Sequence, residues 1–200
     1  QNFIYLDKLY LKSSKNLLIV CGLFFLLINL NIDSFYQLMN NELYSDAALV
    51  VLIISTAKLV QMSFGCGPAI LATSSFYKIT LPFSVAMAIS VYILNDYLID
   101  IYGINGAAMS TLMVIVFFTF FKVIYIKCKL RTQPYNLDSL KIIFVIFSLY
   151  VLIEQVNISI SPIFEILAKS ILISLIYFLS IHFLKLSYRI NDVLKSFKKH

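Results

Sequence analysis

The chain has 200 residues, of which 60% are hydrophobic and only 13% charged, with a mean hydropathy of +0.90 and a net charge of +6. A water-soluble domain of this length cannot hide so much apolar surface, so the composition excludes that class and points to an integral membrane protein. The apolar residues come in uncharged runs of spanning length, not in short alternating strands, which excludes a transmembrane β-barrel and predicts an all-α, polytopic membrane helix bundle.

Residues 1–15 carry Lys8, Lys12 and Lys15 beside a patchy apolar set of Phe3, Ile4, Leu6, Leu9 and Tyr10. This pattern predicts a short interfacial helix on the approach to the membrane. The first span follows over about residues 16–32. It resembles a signal peptide in having basic residues before an apolar run, but it has no small-x-small cleavage site and further spans follow it. The loop over residues 33–45 has acids and no Lys or Arg, and Asn29 and Asn31 are placed at the hydrated end of the span before it.

The second span begins near Asp46 and is interrupted by Lys58 and Gln61, then by Gly65-Cys-Gly-Pro68. Proline removes a backbone donor and clashes one turn back, so a kink built by Gly65, Gly67 and Pro68 is expected near Phe64 and Gly65. Lys58 lies near mid-depth, where a cation costs about 2.5–3.5 kcal/mol on insertion scales and normally faces a bundle interior or a wet cavity. With Gln61 at i+3 it presents a cation and an amide on one face. Two readings stand: a ligand for an anionic substrate headgroup such as a diphosphate, or a structural ion pair with an acid on a neighbouring helix.

The third span covers about residues 79–95, with Pro82 in its first turn, where proline is tolerated. The fourth contains 18 uncharged residues, Ile104 to Phe121, equivalent to roughly 27 Å of helix. Gly103, Gly106, Ala107 and Ser110 are spaced i, i+3, i+4, i+7 and predict a face of small residues for close helix packing. A basic loop over residues 127–139 leads to the fifth span, about residues 140–156. Residues 157–161 form a tight turn, and Pro162 starts the sixth span, which ends near Leu184. Residues 185–200 read as a basic amphipathic helix suited to an anionic membrane surface. Glu154, Glu165 and Lys169 form a second polar intramembrane group, read either as a satisfied cluster joining the last two helices or as a proton or ion site.

With six spans, both termini share a side. That side receives fourteen of the sixteen Lys and Arg residues, the other side none, and Lys58 and Lys169 lie within spans. This asymmetry predicts that both termini are cytoplasmic. The net charge is therefore a topology signal and not a nucleic-acid footprint. Cys21, Cys66 and Cys128 form no metal-binding or disulfide pattern, and no phosphate loop or nucleophile motif is present. No metal, no cofactor and no enzymatic activity are expected.

Four segments resemble the polysaccharide export and O-antigen flippase family. They are Leu9-Tyr-Leu-Lys-Ser-Ser before the first span, Thr56-Ala-Lys-Leu-Val-Gln-Met in the second, Tyr102-Gly-Ile-Asn-Gly-Ala-Ala-Met-Ser-Thr at the start of the fourth, and Lys129-Leu-Arg-Thr-Gln-Pro-Tyr in the basic loop. They occur in the family's order. That family belongs to the superfamily that also holds MATE drug exporters and the lipid II flippase. The resemblance implies a transporter of two pseudo-symmetric lobes. Residues 16–126 would be four helices of the C-terminal lobe and residues 140–184 two terminal helices, with the N-terminal lobe missing from this chain. The start at Gln1, without an initiator Met, likewise leads us to expect a C-terminal piece. By resemblance the substrate is an undecaprenyl-diphosphate-linked oligosaccharide, moved across the bacterial inner membrane by alternating access, with membrane lipids as the other partners. Lys58 matches the family's lysine position; Gln61 stands where the family often has Asp. The competing expectations are a MATE-type drug or metabolite exporter, which calls for an acidic cavity, and a non-transporting structural membrane protein.

Overall fold

The computed structural model describes residues 3–39, 47–155, 161–184 and 186. Among these residues there is no strand. Seven α-helices run in order: α1 (Phe3–Met39), α2 (Ala47–Ser63), α3 (Gly67–Thr73), α4 (Thr80–Tyr102), α5 (Ile104–Leu130), α6 (Leu137–Glu154) and α7 (Pro162–Phe183), with a single 3₁₀ turn at Tyr77–Ile79. The all-helical class is therefore as expected.

Among the described residues four segments are long and apolar enough to cross a bilayer: Tyr5–Met39, Tyr77–Tyr102, Ile104–Leu130 and Pro162–Phe183. A fifth is obtained if α2 and α3, bent by 49°, count as one broken span. This is fewer than the six predicted. The difference is α6, whose 18 residues include Asp138, Lys141 and Glu154. Its uncharged stretch from Ile142 to Ile153 covers about 18 Å, short of a hydrocarbon core of about 30 Å.

α1 also departs from expectation. Its 37 residues form one helix of about 55 Å, so neither a separate interfacial helix before residue 16 nor a loop directly after residue 32 is present. The segment contains no proline, and its one glycine, Gly22, is buried against neighbouring side chains. Polar residues alone do not stop a helix that lacks such breakers.

The chain divides into two compact units, Gln1–Cys21 with Asp46–Tyr135, and Gly22–Ser45 with Asn136–His200. In the first, α5 packs against both α2 and α4. α4 and α5 are joined by Gly103 alone, which takes φ 57° and ψ −136° and donates its N–H to Ile99 O at 2.8 Å. This region of backbone space is one that L-residues rarely adopt. The return is tight enough that a Cβ on Gly106 would lie 2.0 Å from the Leu98 carbonyl oxygen. Ser110 then hydrogen-bonds Asn95 across the hairpin. Further along, the Phe83 ring meets Phe118 edge-on at 6.2 Å. Tyr10, Phe64, Ile70, Leu71 and Ile126 form a buried cluster in the same unit.

In the second unit, α6 packs on α7. Leu26, Ile142, Ile146, Leu149, Ile173, Tyr177 and Ile181 are buried there. A Cβ on Gly22 would lie 2.4 Å from Ile146 Cδ1 and 2.8 Å from the Tyr177 hydroxyl, so this glycine permits close approach of α1 to both helices. Asn136 starts α6 with a capping box: its Oδ1 accepts from Ser139 N at 3.2 Å, while Ser139 Oγ accepts from Asn136 N at 3.5 Å. The predicted turn over 157–161, apart from Ser161, and the predicted amphipathic tail, apart from Leu186, lie outside the described residues.

Candidate functional site: a broken helix carrying a lysine

The apolar run Ala47–Ala57 makes α2, and its last two turns bring Lys58 and Gln61 onto one face. Lys58 Nζ donates to Gln61 Oε1 at 3.2 Å. Lys58 is exposed on the surface of the chain and Gln61 is half-buried. Among the described residues no carboxylate comes within ion-pair distance of Lys58. What remains on the α2 surface is a cation and an amide, one turn before the helix breaks.

The break has a local cause and three braces. Phe64 N, Gly65 N and Gly67 N bond to carbonyls three residues back, at 3.3, 3.0 and 3.1 Å, so the helix tightens and ends. Gly65 takes φ +61°, and the backbone N of Ser14 would lie 2.6 Å from a Cβ added there. Pro68 does not kink a continuing helix. It falls in the first turn of α3, where its missing N–H is not needed. The Ser63 carbonyl, freed by the break, accepts a hydrogen bond from Ser14 Oγ. Ser63 Oγ bonds the Tyr135 hydroxyl at 2.8 Å, and the Tyr10 ring meets Phe64 edge-on at 6.1 Å. Gly67 is buried because the Phe64 ring occupies the space its Cβ would need. The bend is thus held by α1 on one side and by the 131–136 connector on another. Burial raises the Tyr135 hydroxyl above its ordinary range, and the bond to Ser63 draws it partly back.

The small-residue face is only partly as predicted. Gly106 and Ser110 are buried against α4, and Ala107 is half-buried. Gly103 is not on that face. It is exposed, with nothing within 4 Å of an added Cβ, because it is the turn residue before α5 begins. The close approach that small residues allow is used by the preceding helix of the same hairpin.

Of the second polar group, Glu165 and Lys169 come together at 2.6 Å, with side chains 13% exposed. Glu165 also bonds Ser34 of α1. Glu154 does not join this ion pair; it is exposed in the last turn of α6, where its charge faces Tyr150. The polar seam between α1 and α7 instead includes Asn31, whose Nδ2 donates to Leu27 O at 2.7 Å and to Ser170 Oγ at 3.3 Å. Asn29 and Asn31 are buried, not hydrated, because α1 continues past them. Periodicity gives some signal for this: Asn31 and Ser34 are i, i+3 and Glu165 and Lys169 are i, i+4, so each pair shares a helix face, but nothing in the sequence states which helices meet.

Among the described residues no three His, Cys, Asp or Glu side chains gather as metal ligands. The three cysteines are free thiols. His182 is exposed in the last turn of α7. No protein family, no curated protein and no solved structure matches this chain.

Proposed function

We propose that this chain is the C-terminal portion of a flippase that carries a lipid-diphosphate-linked oligosaccharide across the bacterial inner membrane by alternating access. The observation that carries the reading is Lys58: a cation near the middle of a broken apolar helix, bonded to Gln61 and without a carboxylate partner among the described residues. A lysine in that place is costly against lipid and is stabilised by an anion or by water in a cavity. A diphosphate supplies the anion. The four ordered segments that resemble polysaccharide flippases support the same assignment, and the missing lobe of such a transporter would close the cavity over the Lys58 face.

In this reading α6 completes a six-span arrangement with both termini in the cytoplasm, its Asp138, Lys141 and Glu154 lying at the two interfaces. The fourteen-to-none distribution of Lys and Arg supports that topology. The break between α2 and α3 serves as the place where a rocking lobe changes shape, as interrupted helices do in transporters.

The test is surface polysaccharide in cells that depend on the full-length transporter. Losing a charge-assisted contact worth about 1.5–3 kcal/mol predicts that Lys58→Ala lowers export about tenfold or more, while Lys58→Arg retains a larger share. Unchanged export in Lys58→Ala, at equal protein level, removes the lysine from the mechanism and with it this reading of the site.

A further inference from the structure

The hairpin of α4 and α5 has two ends of opposite charge, which the transporter reading does not use. From Ile79 to Phe121 the sequence has no Lys or Arg, and toward the Gly103 end Asp96 and Asp100 are exposed. The open end carries Lys78, in the 3₁₀ turn before α4, and Lys127, Lys129 and Arg131, where α5 finishes; all four are exposed. Two spans, Tyr77–Tyr102 and Ile104–Leu130, meet the interface here, so these cations lie where a bilayer has its headgroups. Tyr77, next to Lys78, is 55% exposed, and aromatic rings of this kind settle at the same level.

The two halves of this corner are tied together. The Phe76 ring, two residues before Lys78, meets the Tyr125 ring of α5 edge-on at 6.1 Å, and the Lys129 ammonium stands 6.0 Å from its centre. A ring face holds a cation without taking any of its N–H donors, so Lys129 is positioned while its donors stay open. Among the described residues no carboxylate comes within ion-pair distance of any of the four cations. Asp7 of α1 reaches the connector after α5, but there its carboxylate accepts from Gln133 N at 3.4 Å. Lys127 and Lys129 also complement the negative end of the α5 dipole, which leaves their hydrogen-bonding capacity intact. The corner is thus an excess of positive charge at headgroup depth. The adjoining turns of α4 and α5 expose Leu81, Val85, Phe121 and Ile124, an apolar surface for acyl chains.

We propose that this corner is a docking site for an anionic phospholipid of the surrounding bilayer, with its phosphate shared by Lys78 and Lys129 and its acyl chains along α4 and α5. Inside a bilayer the chains exchange one apolar environment for another, so they contribute little selectivity. Selectivity comes from charge. A zwitterionic lipid brings the same phosphate with a cation attached, and loses at the corner much of what the phosphate gains. The other end of the hairpin, with Asp96 and Asp100, repels the anionic lipid. The site does not rest on the transporter reading, and holds whether or not Lys58 meets a substrate.

The chain has no tryptophan, so Tyr77→Trp places a single indole at the corner, and Tyr102→Trp, at a side chain 54% exposed, places one at the other end of the hairpin. Each variant is reconstituted as the full chain into vesicles of one fixed mixture of phosphatidylglycerol and phosphatidylcholine, with acyl bromines on one lipid or the other, and quenching of the indole is read. Composition and surface charge are then the same in both arms, and both leaflets are alike, so the direction of insertion does not enter. At about 1 kcal/mol for a Lys or Arg near an anionic lipid, phosphatidylglycerol is expected to be enriched about fivefold or more over phosphatidylcholine at residue 77, and not at residue 102. Adding Lys78→Ala and Lys129→Ala to Tyr77→Trp should remove most of that enrichment, while Lys78→Arg and Lys129→Arg should keep it. Equal quenching by the two lipids at residue 77, the same preference at residue 102, or a preference that the two alanines leave intact each overturns the proposal. So does a preference abolished by inorganic diphosphate at matched ionic strength, which would assign the corner to a soluble anion. Lack of quenching by either lipid also overturns it, and would mean that protein covers the corner.

Discussion

The α4–α5 hairpin contains two glycines three residues apart whose substitution fails for different reasons, and the difference is measurable. At Gly106 the obstacle is space. An added Cβ lies 2.0 Å from the Leu98 carbonyl oxygen and 2.4 Å from its carbon, so ordinary contact requires the two helices to separate by about 1.4 Å. Backbone atoms cannot rotate out of the way, and separation would also stretch the bond from Ser110 to Asn95. Overpacking of this kind costs about 1–3 kcal/mol, and Gly106→Ala should already fall within that range. Gly106→Leu should exceed it or abolish the fold. At Gly103 the space is open and the obstacle is backbone conformation, so Ala and Leu should cost about the same, ~1–3 kcal/mol. The assay is equilibrium unfolding of the purified chain in mixed micelles, followed by loss of helical circular dichroism. A steep size dependence at residue 106 and a flat one at residue 103 is the expected pattern. Gly106→Leu with the parent's stability would refute the hairpin geometry.

Three further substitutions probe the braces and the polar seam. Gly65→Ala combines a positive φ with a backbone contact at Ser14, and should cost about 1–3 kcal/mol in the same assay, whereas Ala72→Gly, exposed near the end of α3, should cost about 1 kcal/mol or less. Tyr135→Phe should remove about 0.5–1.5 kcal/mol with its bond to Ser63. Because burial raises the Tyr135 hydroxyl, its contribution is fully present below the ordinary phenol value near 10 and is lost as pH rises through the higher folded value. The parent should therefore lose stability above about pH 10 more steeply than Tyr135→Phe, and equal slopes would show that the hydroxyl is not buried. Glu165→Gln strands the Lys169 ammonium in a pair that is only 13% exposed, so it should cost about 1–3 kcal/mol, more than a surface pair. The double variant Glu165→Gln/Lys169→Met should recover part of that loss; strict additivity of the two single changes would show that the groups do not interact.

Hydropathy carried the class of the protein because the spans are long and few charges interrupt them. The Gly65–Pro68 break was legible too, because residue chemistry there changes what the backbone can do, but the return at Gly103 was not: an acidic loop is expected after residue 95, and α4 instead runs on to Tyr102. Hydropathy also misjudged what surrounds these positions. Gly103 has helical spacing to Gly106 and Ser110, and spacing alone cannot distinguish the first residue of a face from the turn that precedes it. The lysines before residue 16 suggest an interface there, yet a helix without breakers runs on through them, and Lys15 is buried. Asn29 and Asn31 look wet in the sequence for the same reason: the expected end of the span is a boundary of hydropathy, not of the helix. The ion pair of Glu165 with Lys169 was legible because both lie on one helix at i, i+4, whereas the links to Ser34 and Asn31 depend on which helices meet. The exposure of Lys58 was not legible either, since depth along a helix follows from the sequence and the direction of a face does not.

The topology on which the functional reading depends can be measured at Cys128, an exposed thiol in the last turn of α5 and next to the basic connector. With Cys21 and Cys66 replaced by Ser, a membrane-impermeant maleimide is applied to intact cells and, separately, to inverted membrane vesicles. The account predicts labelling of Cys128 in the inverted vesicles and none in intact cells. Labelling from outside the cell would place the basic connector on the wrong face and contradict the bundle's orientation, together with the transport direction inferred from it.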